Sequence, residues 1–235
     1  MVRVLHPSLA RRLPADRAQL LTGRTIVRVE RRGKHQLLHL DDGRVLHAHF
    51  RMTGDWSTGR VGGAIPTSVR ALLEFDDGTR VALDDSRALA TLTLHEPNEN
   101  PLPTLGPEPD DPVFTAKFLG EALAARRGPI KPALLDQRLV AGLGNIYAAE
   151  ALWEAKISPR ASAKSLGPVR LARLVRAIRG VLRRAPAARY SDDTRTARWR
   201  AYDREGMPCR RCGHHIRRIT QAGRSTYFCP FCQRR

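Results

Sequence analysis

Four cysteines, all within the last 30 residues, constrain this chain more than any other feature. They are spaced Cys209-x2-Cys212-x16-Cys229-x2-Cys232. Each Cys-x-x-Cys pair can turn back on one ion, and two pairs complete a tetrahedron of thiolates. Four protein ligands leave no open coordination position, so the expected Zn2+ is a single structural ion. A disulfide scaffold would spread its cysteines through the chain, whereas this clustering suits a metal in a reducing compartment and points to the cytoplasm. Between the pairs, Ile216 to Thr220 and Ser225 to Phe228 read as two strands joined through Gln221-Ala222-Gly223-Arg224.

Charge narrows the partner. With 41 Lys and Arg against 23 Asp and Glu, the formal net charge is +18. From residue 206 onward there are seven arginines and no acidic residue. Such an excess calls for a polyanion, and Arg224 stands where a hairpin tip reaches phosphate. No run of about 18 apolar residues offers itself to a membrane. Nucleic acid is therefore the expected partner.

Upstream, Thr25 to Leu94 carries strand-like runs, Thr25-Ile26-Val27-Arg28-Val29, Gln36 to Leu40 and Arg44 to Phe50 among them. Turns at Asp41-Asp42-Gly43 and Asp76-Asp77-Gly78 separate strands with no helix between, which predicts an antiparallel sandwich or barrel. A proline-rich stretch from Pro97 to Pro112 reads as a linker. Beyond it, apolar spacings of three and four predict helices over Ala116 to Ala125, Lys131 to Ala141, Ile146 to Ala155 and Val169 to Leu182. Gly142 and Gly144 form a turn between two of them, and Asn145 is an N-cap candidate whose neighbouring N–H groups suit a phosphate. The expected class is α+β and multidomain. It comprises a β-sandwich over 1–108, a helical DNA-binding domain over 112–200 and a zinc finger over 203–235.

Several segments resemble one family. Ile130-Lys131-Pro132 through Gly144-Asn145-Ile146-Tyr147-Ala148 is similar to the helix–two-turn–helix of formamidopyrimidine-DNA glycosylases and endonuclease VIII. Gly223-Arg224-Ser225-Thr226-Tyr227-Phe228-Cys229 resembles their zinc hairpin. Arg31-Arg32-Gly33-Lys34-His35, Arg51-Met52-Thr53-Gly54 and Leu105-Gly106-Pro107-Glu108-Pro109 are similar too, in the family's order. The resemblance implies a monomeric base-excision-repair enzyme that flips a damaged base out of duplex DNA. It implies that an N-terminal proline amine attacks the sugar to form a Schiff base, with a glutamate as general acid, and that elimination then cuts the strand. Lys34 would donate the proton of the first elimination and Arg224 would serve the second. Asn145 would hold a phosphate, Lys131 would lie in the basic helix, and Met52 would fill the gap left by the flipped nucleotide; outside that resemblance Met52 would read as core.

The sequence departs from the family in four places. The family opens Met-Pro-Glu, whereas this chain opens Met1-Val2-Arg3-Val4-Leu5-His6-Pro7, and Pro7 has an amide nitrogen that forms no Schiff base. The expectation is that the proline, the glutamate and their helix are encoded upstream, because Val2 to Leu5 reads as an interior strand. The alternative is a relative that binds damaged DNA without cutting it. In the loop that wedges opposite the lesion, Asp85-Ser86-Arg87-Ala88-Leu89-Ala90 keeps Arg87 and the apolar Leu89, but Ala88 replaces the arginine that reads the orphaned base. A histidine expected near Ser68 is absent, and Tyr190 to Arg200 is short for a loop that caps an oxidised purine. Oxidised pyrimidines, ring-opened purines and abasic sites therefore stand beside 8-oxoguanine as candidate substrates.

Overall fold

The computed structural model describes residues 1–185 and 199–234, and most of the expected capping loop, 190–200, lies outside them. The chain divides into two compact units, Met1–Pro103 and Thr104–Arg235.

The first unit holds β1 (Val2–Val4), two short helices, α1 (Pro7–Ala10) and α2 (Ala15–Gln19), then β2 (Ile26–Arg32), β3 (His35–Leu40) and β4 (Val45–His49). β5 (Asp55–Arg60), β6 (Val69–Glu74), β7 (Thr79–Asp84) and β8 (Thr91–His95) complete it. Two four-stranded antiparallel sheets result, in the orders β1-β6-β7-β5 and β2-β3-β4-β8. The period of two along each strand fixes what they enclose. Leu38, Leu40, Leu46, Ala48, Leu92 and Leu94 from one sheet join Ala71, Leu73 and Leu83 from the other in a single core, with Leu9 and Leu13 added by and just after α1. The sandwich is as expected, and Gly43 (φ 85°) and Gly78 (φ 77°) occupy the two predicted turns. The strand expected to be interior, β1, is instead an edge strand: it pairs only with β6 among the described strands, Val2 opposite Leu73. Its short apolar alternation is the same for an edge and a centre, so the pattern could not separate them.

In the second unit α3 (Ala116–Ala124), α4 (Ile130–Leu134), α5 (Asn145–Glu154) and α6 (Pro168–Arg183) precede a hairpin of β9 (Arg217–Gln221) and β10 (Arg224–Phe228). Thr115 caps α3 by accepting from Phe118 N at 3.1 Å. Along α6, Leu171, Leu174, Val175, Ile178 and Val181 recur on one face and meet Phe114, Leu119, Leu123, Ile130, Leu134 and Leu152. The helix expected over Lys131 to Ala141 stops at Leu134. Asp136 O accepts from Leu139 N (2.9 Å) and Val140 N (3.3 Å), while the Gln137 side chain accepts from Gly142 N (3.0 Å) and donates to Leu143 O (2.9 Å). Two turns therefore replace the second half of the helix. Leu139, Val140 and Leu143 are buried, so their spacing recorded the core and not a helical period. Gly106 lies against those turns: a Cβ there would sit 2.4 Å from Arg138 O, and Gly106 N donates to Gln137 O at 2.9 Å.

Candidate nucleic-acid interface and zinc centre

Lys131, Asn145 and the Arg224 hairpin are brought together within the second unit. The hairpin turns through Ala222 (φ 47°) and Gly223 (φ 70°), the two positive φ values that a two-residue turn matching strand twist demands, with Gln221 opposite Arg224. Arg224 is exposed at the start of β10. Behind it Thr226 is fully buried, and so is Lys131 at 1% exposure. The Lys131 Nζ donates to Asn145 Oδ1 (2.5 Å), Thr226 Oγ1 (2.8 Å) and Ser225 O (3.1 Å), which occupies all three of its N–H groups. Asn145 Nδ2 also donates to Ser225 O at 3.1 Å. Burial first, and the nearby Arg224 second, lower the Lys131 pKa to about 8. Asn145 is not the cap of α5. Gly144 holds that position without a side-chain bond, and Asn145 begins the helix with its amide turned to Lys131 and the hairpin. The first N–H groups of α5 still point out of the helix end, a ready place for a phosphate.

The four cysteines fit one zinc ion. Their Sγ atoms lie within 4.8 Å of one another, and Cys212 Sγ to Cys229 Sγ is 3.6 Å. Tetrahedral Zn–S bonds of about 2.3 Å place sulfurs roughly 3.8 Å apart, whereas a disulfide needs about 2.05 Å. Trp153 Nε1 donates to Cys209 Sγ (3.4 Å) and Cys232 N to Cys229 Sγ (3.3 Å), bonds that favour thiolates. Structural Zn2+ thus ties the knuckles to α5, with Trp153, Ala201, Ile216 and Tyr227 packed around them. Sequence reasoning missed Glu150, a buried carboxylate on α5 that accepts from Arg200 N, Ala201 N and Tyr202 N, each at 2.8 Å. It holds the chain where it re-enters the zinc region; the only hint was an acid on an otherwise apolar helix face.

The remaining candidates belong to the first unit. Lys34 is exposed in the two-residue turn joining β2 to β3, where Gly33 (φ 60°) takes the first central position and Arg32 pairs with His35. Beside it His35, His47 and His49 form a row across β3 and β4, with His35 Nδ1 2.8 Å from His47 Nε2. Burial, then neighbouring rings and cations, lower His47 and His49 to about 4, so both are neutral at pH 7. Charge along that row comes from Lys34 and Arg51, which depress the His35 pKa after burial does. Met52 (55% exposed) and Leu89 (42%) face solvent, so the core reading of Met52 is set aside. Arg87 Nη1 lies 3.3 Å from Met52 Sδ. Ala88, in the arginine's place, has a φ of 54°.

A sandwich bearing an exposed lysine turn, together with a helix–two-turn–helix buttressed by a zinc hairpin, defines a DNA-binding repair glycosylase. The comparisons agree over nearly the whole length. The model of the formamidopyrimidine-DNA glycosylase N-terminal domain matches residues 1–92, that of its H2TH domain 105–195, and that of the zinc finger found in FPG and IleRS 206–235. The formamidopyrimidine-DNA glycosylase of Paracoccus denitrificans is 42% identical, over 97% of this chain and 89% of the relative. That of Sphingopyxis alaskensis is also 42% identical, over 99% and 91%. Among solved structures, Lactococcus lactis Fpg bound non-covalently to DNA with an AP site superposes with a TM-score of 0.90 at 32% identity, covering 100% of this chain and 91% of that one. MutM from Thermus thermophilus gives 0.84 at 36%, covering 98% and 90%. The chain belongs to the formamidopyrimidine-DNA glycosylase family.

Proposed function

We propose that the chain recognises oxidised, ring-opened or missing bases in duplex DNA as a base-excision-repair glycosylase and abasic-site lyase. The observation that carries this reading is the joining of Asn145 and the Arg224 hairpin through the buried Lys131 ammonium. In this reading Asn145 and the first N–H groups of α5 grip a phosphate beside the lesion, and Arg224 supplies a second contact. Lys131 spends its own N–H groups inside the protein and works through those two. Lys34 donates a proton as the first elimination breaks the sugar–phosphate bond, and Arg224 serves the second. Met52 fills the space of the flipped nucleotide while Arg87 and Leu89 enter beside the orphaned base. With Ala88 where an arginine would read that base, tolerance of the opposing base is relaxed. In this reading the chain works as a monomer on cytoplasmic DNA.

The family's nucleophilic proline and its glutamate are not among Met1–Arg235. The test therefore reads recognition and cleavage separately. Protein from its natural source is titrated with a duplex carrying a tetrahydrofuran abasic analogue and with its undamaged twin, then incubated with a true abasic duplex and borohydride. Preferential binding with a trapped covalent adduct supports the lyase. Preferential binding with neither adduct nor cut favours the binding-only reading, and equal affinity for both duplexes rejects lesion recognition.

A further inference from the structure

The exposed apolar side chains of Met52 and Leu89 leave the first sheet at the same end of neighbouring strands. β5 and β7 pair with Asp55 opposite Asp84, so residues 52–54 lead into one strand where residues 85–90 lead out of the other. One carboxylate stands between them. Asp85 is fully buried; its Oδ1 accepts from the Thr53 hydroxyl and from Arg87 N (3.2 Å), its Oδ2 from Leu89 N (2.6 Å) and Ala90 N (2.7 Å). An ionised carboxylate offers about four acceptor positions, and these four donors fill them. Burial opposes ionisation, but the bonds from Thr53, Ala90, Leu89 and Arg87 outweigh it and hold the carboxyl below its usual value. Three donors belong to the wedge loop and the fourth to the Met52 turn.

The segments also touch where no side chain intervenes. A Cβ on Gly54 would lie 2.7 Å from Phe50 O and 3.1 Å from the Ala90 Cβ. Arg51 (φ 58°) and Ala88 (φ 54°) both sit in the left-handed region, a conformation non-glycine residues keep only where their surroundings over-determine it. Arg70 closes the far side of the loop, donating from Nε to Asp85 O at 2.6 Å and from Nη2 to Ser86 O at 3.2 Å.

We infer that Asp85 is a positioning residue that, through the Thr53 hydroxyl, locks the Met52 turn and the Arg87–Leu89 loop into one wedge. The filler of the emptied site and the wedge beside the orphaned base then enter the duplex as one body, with little ordering left to do on contact. This rests on the lesion-recognition reading above.

Thr53→Val removes the hydroxyl and keeps the shape, whereas Thr53→Ser keeps the hydroxyl. The whole chain is titrated with an abasic-analogue duplex whose orphaned base is aminopurine, and with an undamaged duplex. Amide exchange of Leu89 and Ala90 is followed in the unbound protein. Thr53→Val should bind the abasic duplex about tenfold more weakly, lose most of the aminopurine emission rise, and exchange the Leu89 and Ala90 amides faster. Its undamaged-duplex affinity should stay within about twofold, and Thr53→Ser should restore every signal. Wild-type exchange at both amides in Thr53→Val, or an equal loss of affinity for both duplexes, overturns the coupling. If the unsubstituted chain shows no abasic preference, the lesion reading falls, and the exchange rates alone decide the coupling.

Discussion

An ammonium taken out of water is tolerated only where every N–H finds a partner, and Lys131 meets that condition with Asn145, Ser225 and Thr226. Its pKa, lowered by burial and then by Arg224 to about 8, makes the arrangement sensitive to mild alkali. Below that value the group donates three bonds; above it the neutral amine has only two N–H groups and no charge. The sign for stability runs the other way. Between about 8 and the ordinary lysine value of 10.5 the unfolded chain retains a proton that the native chain has released, so this group's contribution to stability rises with pH. DNA affinity should therefore fall between about pH 7 and about pH 9 while the fold does not weaken through this residue. Lys131→Met should bind an abasic duplex about tenfold more weakly at neutral pH and lose that pH dependence. Anisotropy titrations across the range check both, and a Lys131→Met profile parallel to the wild type would assign the pH dependence to another group.

An isolated two-stranded hairpin is marginal in water, and the apolar cluster beneath β9 and β10, around Trp153, Ile216 and Tyr227, is small. Zinc binding therefore supplies folding free energy to this element. Cys229→Ser should reduce bound zinc from about one ion per chain to near none and weaken abasic-duplex binding by about tenfold or more. Metal analysis with parallel titrations reads this; a metal-free variant that binds DNA normally would remove the hairpin from the interface. The same element shows what was legible beforehand. Ligand spacing is a local property, so the four cysteines and the Arg224 turn stood out in the sequence, as did α3, α5 and α6 by their period. α4 was overextended because Leu139, Val140 and Leu143 are apolar for the core's sake. Asn145 was misread as a cap because its partner, Ser225, lies 80 residues away. Thr53 and Asp85 are 32 residues apart, and Lys131 and Thr226 are 95 apart. No local pattern announces such pairs; only the folded chain brings them together.

Across the whole molecule, cations outnumber acids by 18. Asp136 is held by Arg126 and Arg138, Glu154 by Arg184, Asp110 by Arg183 and Glu205 by Arg218. Lys34, Arg51, Arg87, Arg217 and Arg224 are cations on or beside the proposed DNA-contacting segments. If about five cations displace condensed counterions, log K should fall with log salt at a slope of about −4.5. Phosphates are the same in damaged and undamaged duplex, so both should show nearly that slope. The preference for a lesion comes from Met52, Leu89 and the flipped site, which exchange no counterions, and so the ratio of the two affinities should hold nearly constant as salt rises. Titrations of both duplexes from about 50 mM to about 200 mM salt separate the two contributions. A flat response would remove phosphate gripping. A ratio that collapses with salt would mean that lesion preference is itself electrostatic, and the wedge would then lose its place in recognition.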